Sequence, residues 1–197
     1  MVESHLKYGL TAWGGSSAHN INRIIVLQKK AVRTLANLEP TQSCRAAFTN
    51  LGILTVVALY ILETILHVDK LNLPRNKDLH DYNTRHGSKF SLPAHRTSIW
   101  EKKPSYAGRK MKNNLPDHMK DLTGRRLQQE LKTWLIQRPY YTMKEFYNSE
   151  LEIWIVTKLL WYYCNSWRIN NKEYCIVLYS FQSFILRLIQ LHICKLM

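Results

Sequence analysis

The stretch from Thr55 to Leu71 sets the strongest constraint on the fold. Val56, Val57, Leu59, Ile61, Leu62, Ile65, Leu66 and Val68 place apolar side chains almost all round a helix. A helix of that kind is stable only when other elements cover it. It is too short to cross a bilayer, and Asp69 and Lys70 follow at once. The rest of the chain must therefore supply helices that bury it. His67, on the same run, reads as a partly buried structural histidine.

Several segments have the periodicity to do this. Over residues 18–38, Ile21, Ile24, Ile25, Ala31, Val32 and Leu35 recur at helical spacing. Ser17 or Asn20 suits the N-cap and Pro40 the stop. Arg23, Lys29, Lys30 and Arg33 fall opposite, so this helix has a core face and a basic face. Ser43 to Leu51 reads as a short helix capped by Ser43 and stopped by Gly52. Residues 106–121 read as a helix, a turn at Asn114-Leu115-Pro116-Asp117 and a second short helix. Thr123 then caps a helix whose Leu127, Leu131, Trp134 and Leu135 share a face, with Pro139 at its end. Thr142-Met143-Lys144-Glu145 has the capping-box pattern and starts a short helix through Tyr147. Residues 1–16 read as extended or turn-rich, closed by Gly14-Gly15-Ser16-Ser17. The sum is a mainly α fold: a small bundle of five or six helices over residues 1–148, a long basic loop, and a poorly specified hydrophobic tail over 149–197.

Charge narrows the partner. The chain holds 28 Lys+Arg against 14 Asp+Glu, a formal net charge of +14. That excludes an ordinary neutral enzyme as the default and favours a polyanion, either nucleic acid or an anionic membrane face. Residues 72–105 lose periodicity, with Pro74, Gly87, Pro93 and Pro104 among the breakers. From Lys70 to Arg126, 14 basic residues stand against 5 acidic ones, a net of +9. Tyr82, His86, Phe90, His95 and Trp100 are interleaved with that charge. Cations alternating with aromatics hold phosphates and stack bases. The competing reading is a basic surface loop whose aromatics fold back onto the core. Candidate phosphate contacts are Arg23, Lys29, Lys30, Arg33, Arg85, Lys89, Arg96, Arg109, Lys110, Arg125 and Arg126. Arg125 and Arg126 sit in a first helical turn, where each opposes the helix dipole by about 0.3–1 kcal/mol. Such a misplacement marks either an anion site or two solvated arginines.

Chemistry-bearing motifs are missing from the sequence. Two-metal phosphoryl or nucleotidyl transfer needs closely placed carboxylates. No Asp-Asp pair occurs, and Asp78/Asp81 and Asp117/Asp121 lack a third acidic partner. No phosphate-binding loop, dinucleotide fingerprint, nucleophile elbow or zinc motif is present. No catalytic residue, metal or cofactor is therefore assigned. Cys44, Cys164, Cys175 and Cys194 form no CxxC, which suits reduced thiols in an intracellular protein, nuclear or cytoplasmic. Met1 to Gly9 has no apolar run of the secretory type. Within the tail, Cys175–Ile193 is the best candidate for a membrane span, but Gln182, Arg187, Gln190 and His192 interrupt it. A central Arg costs about 2.5 kcal/mol or more in a bilayer. The tail reads instead as an amphipathic helix or as sequence never selected to fold.

An ordered set of short motifs adds a resemblance. Ser4-His5-Leu6-Lys7-Tyr8-Gly9-Leu10-Thr11-Ala12-Trp13-Gly14 resembles a run found in non-LTR retrotransposon polyproteins of the jockey-like kind. Leu27-Gln28-Lys29-Lys30-Ala31-Val32-Arg33 is similar to a helix that follows it there. Ser43-Cys44-Arg45, Leu51-Gly52-Ile53-Leu54-Thr55 and Leu59-Tyr60-Ile61-Leu62-Glu63 come next. Tyr82-Asn83-Thr84-Arg85, Asn114-Leu115-Pro116 and Tyr141 to Asn148 resemble further elements in the same order. The likeness covers residues 4–148. It implies the thumb of a reverse transcriptase and the segment after it, a helical region that grips template–primer by its backbone. The palm and its metal-binding carboxylates would lie before Met1, so the resemblance carries over no catalytic residue. A palm domain supplied elsewhere is an implied partner. The implied protein is a truncated element that binds nucleic acid without sequence preference and does not polymerise alone. The rivals are a membrane-surface protein with an inserting tail, and a decayed element with no selected function.

Overall fold

In the computed structural model, residues 2–79, 82 and 84–148 are described. They belong to one compact unit. The tail, including the Cys175–Ile193 candidate span, lies outside the described residues, as do Asp81 and Asn83. Among the described residues the fold is mainly helical. Its only β feature is an isolated antiparallel bridge between Arg75 and Phe90.

The element order is α1 (Val2–Lys7), α2 (Leu10–Trp13), α3 (Ala18–Leu35), α4 (Arg45–Asn50), α5 (Val56–Lys70), α6 (Ser98–Glu101), α7 (Pro104–Asn113), α8 (Asp117–Lys120) and α9 (Gly124–Gln137). Residues 143–148 are helical as well. The apolar run is the centre of the bundle. α5 packs against α1, α2, α3, α7 and α9. Val56, Ala58, Leu59, Ile61, Ile65 and Val68 are completely buried. Thr55 caps α5 and ties it to the segment after α9: its Oγ1 accepts from Ala58 N–H at 3.1 Å and donates to the Tyr140 carbonyl at 2.7 Å. His67 departs from the reading above, since it is exposed. With Glu63 and Lys70 it forms an i, i+4, i+7 strip of charged and polar residues along α5.

The N-terminus is helical rather than extended. Gly9, left-handed at φ 62°, breaks the chain between α1 and α2, and Leu6, Leu10 and Trp13 from the two short helices all pack on the core. Leu10 is fully buried, with Leu6 and Trp13 packed beside it on the core. Lys7 pairs with Glu3 at 3.0 Å and with Glu63 of α5 at 3.6 Å.

α3 begins where expected, with the Ser17 side chain accepting from Asn20 N–H at 3.3 Å. It ends before Pro40, because Asn37 takes a left-handed conformation with φ 51°. Its first half packs Ile21, Ile24 and Ile25 on the core around α5. Its second half turns to α4, where Val32 packs with Cys44, Ala47 and Phe48. Leu35 is on neither side and is 68% exposed. α4 starts without Ser43 as its cap. Cys44 holds that position and makes no side-chain capping bond.

α5 and α7 cross closely at Gly108. A Cβ there would sit 2.8 Å from the Thr64 carbonyl and would overlap Val68. Beside this crossing, Lys112 is 2% exposed and its Nζ lies 2.5 Å from Asp69 Oδ1. The other oxygen of Asp69 accepts from Gly124 N–H, the first residue of α9, at 2.8 Å. One carboxylate thus joins α5, α7 and α9. Thr123 makes no capping bond. The anion that answers the α9 N-terminus, behind Arg125 and Arg126, is Asp69 itself.

The basic loop is pinned to α7. Asn113 bonds both the N–H and the carbonyl of Phe90, at 2.7 and 3.0 Å. Arg75 Nη1 reaches Asp121 at 2.8 Å, and its guanidinium lies over the Phe90 ring. Of the interleaved aromatics, Phe90 folds inward and is buried, whereas Tyr82 and Trp100 are exposed.

Candidate nucleic-acid interface

Lys29 follows the buried Ile25 by four residues and precedes the buried Val32 by three. It therefore shares their side of α3 rather than the opposite one. Its Nζ lies 3.7 Å from the centre of the Tyr141 ring. Arg45, from the first turn of α4, lies over the same ring at 4.3 Å. Arg33 joins this group and donates from Nε to the Gln42 carbonyl at 3.0 Å. Glu145 is the carboxylate of the cluster. It meets Arg45 at 3.4 Å and accepts from Tyr141 N–H at 3.0 Å. The expected capping box is thus half made. Thr142 Oγ1 accepts from Glu145 N–H at 3.2 Å, while the Glu145 side chain serves Tyr141 and Arg45.

Electrostatics follow from this placement. Burial pushes Lys29 below its ordinary range, with Arg45 and Arg33 adding to that effect. Burial holds the Tyr141 phenol well above its usual range, so it stays neutral. The Cys44 Sγ is 3.6 Å from that hydroxyl and is itself buried as a free thiol. Three cations therefore surround one neutral ring, with one carboxylate among them.

Tyr141 also lines a groove of about 770 Å³. The start of α3 forms one wall, α5 and α7 the floor, and residues 141–147 the other wall. Tyr60, Val57 and Met111 make it apolar inside, and Lys102, Lys110 and Lys144 line it as well. The near wall is fixed by glycine. A Cβ on Gly14 would overlap the Tyr60 ring, and one on Gly15 would sit 2.9 Å from the Lys102 carbonyl. Lys110 Nζ is 5.4 Å from the centre of the Tyr147 ring. Burial raises the Tyr147 and Tyr60 phenols above their ordinary range.

The structure sorts the eleven candidate phosphate contacts. Lys29 and Arg33 gather at Tyr141, and Lys110 lines the groove. Arg23 and Lys30 are exposed on the far side of α3, beside exposed Val26 and Leu27. Arg85 and Arg96 are exposed on the loop, and Arg125 and Arg126 at the start of α9. Lys89 is partly buried and close enough to help depress the Asp117 carboxyl, after Lys120. Arg109 is committed internally. Its guanidinium donates to the Ser91 carbonyl at 2.7 Å and the Ser105 carbonyl at 3.0 Å, so it holds the loop. Arg45, Lys102 and Lys144 were not among the candidates. Their grouping depends on contacts between segments about 100 residues apart, such as Arg45 with Glu145. Nothing in local sequence reports such contacts.

Among the described residues, no three His, Cys, Asp or Glu side chains group as metal ligands. No helix of the described residues is long and apolar enough to cross a membrane. No protein-family model matches the chain, and no curated protein or solved structure matches it.

Proposed function

We propose that residues 4–148 are the thumb and following segment of a jockey-like non-LTR reverse transcriptase, and that they bind nucleic acid through phosphates without sequence preference. The observation that carries this reading is the charge around Tyr141. Lys29, Arg33 and Arg45 stand there with a single carboxylate, and Lys102, Lys110 and Lys144 continue the charge along the groove. Cations so arranged form the footprint of a polyanion, whose condensed counterions they displace. Base sequence is read by groove edges, and lysines set round a ring offer no such code. The ordered motif resemblance supplies the kind of polyanion, a template–primer.

The reading assigns no polymerase chemistry to this chain, because the region it resembles carries none of the palm's metal-binding carboxylates. Catalysis would need a palm domain supplied elsewhere. Incubating the full chain with primed RNA and nucleotides tests both halves. The expected result is primer–template binding at low salt without primer extension. Extension by the purified chain would overturn the second half, and absence of binding would overturn the first.

A further inference from the structure

The groove beside Tyr147 combines two features. Inside, Tyr60, Met111, Met143 and Tyr147 offer apolar and aromatic surface. Around it stand Lys102, Lys110 and Lys144. Glu101 is the one carboxylate that lines it among the described residues, and it already meets His95 Nε2 at 3.1 Å. None of the three lysines pairs with a carboxylate among the described residues. Three ammonium groups without a carboxylate partner among the described residues, one of them over the Tyr147 ring, suit a ligand with a planar, weakly polar body and an attached anion. The volume of about 770 Å³ falls within the range of about 300–1,000 Å³ usual for small-ligand sites.

A nucleotide has this chemistry only when its base is free. In a duplex the base faces are stacked and hidden, and only the phosphates are offered. An unpaired base exposes its face to aromatic side chains, and such stacking is tolerant of sequence. We propose that this groove is a subsite for the unpaired end of a nucleic-acid strand, taking one unstacked base beside Tyr147 and its phosphates on Lys102, Lys110 and Lys144. The inference rests on the nucleic-acid reading above and adds to it a preference for frayed or single-stranded ends. Gly14 and Gly15 let the chain before α3 pack directly on Tyr60 and on the Lys102 backbone, which fixes that edge of the groove.

The test uses the full chain and two probes: a blunt RNA–DNA hybrid, and the same hybrid with a short unpaired tail carrying 2-aminopurine. Two variants are compared, each checked for native helicity by circular dichroism. A18W fills the groove from an exposed position. K102A/K110A/K144A removes its charge. The expected result is about tenfold weaker binding of the tailed probe to A18W, with the blunt probe changed by less than about twofold. The 2-aminopurine emission falls on binding to the parent chain and does not fall with A18W. The triple lysine variant flattens the salt dependence of the tailed probe by about two in the log–log slope. If both probes bind and neither variant separates them, the subsite is wrong and the broader reading survives. If neither probe binds, the broader reading fails and takes the subsite with it. If decyl phosphate competes for the groove and a mononucleotide does not, the site takes aliphatic anions and the proposal is overturned. Should A18W lose helicity, the emission with the parent chain decides: quenching of 2-aminopurine on binding supports the subsite, and unchanged emission with the tailed probe bound overturns it.

Discussion

α5 and α3 are the two long helices of this bundle, and they are held in opposite ways. α5 is enclosed on nearly every side, so its partners fix each of its residues. α3 is covered along one stripe only, and that stripe changes partner halfway from α5 to α4. The change leaves Leu35 exposed and draws Lys29 inward over Tyr141. Where burial is complete, volume and hydrogen bonding dictate the residue. Where it is partial, the same α-helical spacing leaves charge at the boundary, and that is where the candidate interface lies.

The comparison breaks most sharply at the end of α5. Removing Asp69 leaves Lys112 buried without its partner, and D69A is expected to cost about 3–5 kcal/mol in denaturant unfolding. The double variant D69L/K112M restores most of that loss, because a well-packed apolar pair can replace a buried ion pair. It leaves a residue of about 1 kcal/mol, since the α9 N-terminus has also lost its carboxylate. Full recovery in the double variant would show that Asp69 does not cap α9. Within the enclosed part of α5, I65A is expected to cost about 2–5 kcal/mol by the same measurement. Gly108 tests the closeness of the α5–α7 crossing. G108A forces the helices apart from the Thr64 carbonyl and is expected to cost about 1–3 kcal/mol. A neutral or stabilising G108A would mean that the crossing is looser than described. The open side of α3 is expected to behave differently. R23A/K30A should shift stability by less than about 0.5 kcal/mol, because neither side chain is buried.

The enclosed half of this contrast is legible in the sequence, and the open half only in part. The apolar run from Val56 to Val68 demands a central helix, and Leu127, Leu131 and Leu135 supply one that packs on it. Gly52, at φ 64°, stops α4 as its position suggests. The N-terminal helices are too short, at six and four residues on either side of a left-handed Gly9, to leave a periodic signature. The end of α3 depends on Asn37 turning left-handed, a choice that Pro40 three residues later conceals. Asp69 as the partner of Arg125 and Arg126's helix end is a long-range contact with no local signature. The interface is similar in kind. Lys29, Arg33 and Lys110 are prominent in the sequence as charge, but Tyr141, Arg45 and Lys144 join them only through tertiary packing. Arg109 has the same charge and proves to be a brace for the loop, which composition alone does not distinguish.

The most direct measurement is the affinity of the full chain for an RNA–DNA hybrid with a short unpaired tail as a function of salt. Arg45 is paired with Glu145, and the five cations of the face without a carboxylate partner among the described residues, Lys29, Arg33, Lys102, Lys110 and Lys144, would give a log–log slope of about −4 to −5, at about 0.9 per phosphate neutralised. Charge-neutral substitution of those five is expected to flatten the slope toward zero with the helicity unchanged. A flat slope in the parent chain, or a steep one that survives the substitutions, would contradict the assignment of this face to nucleic acid.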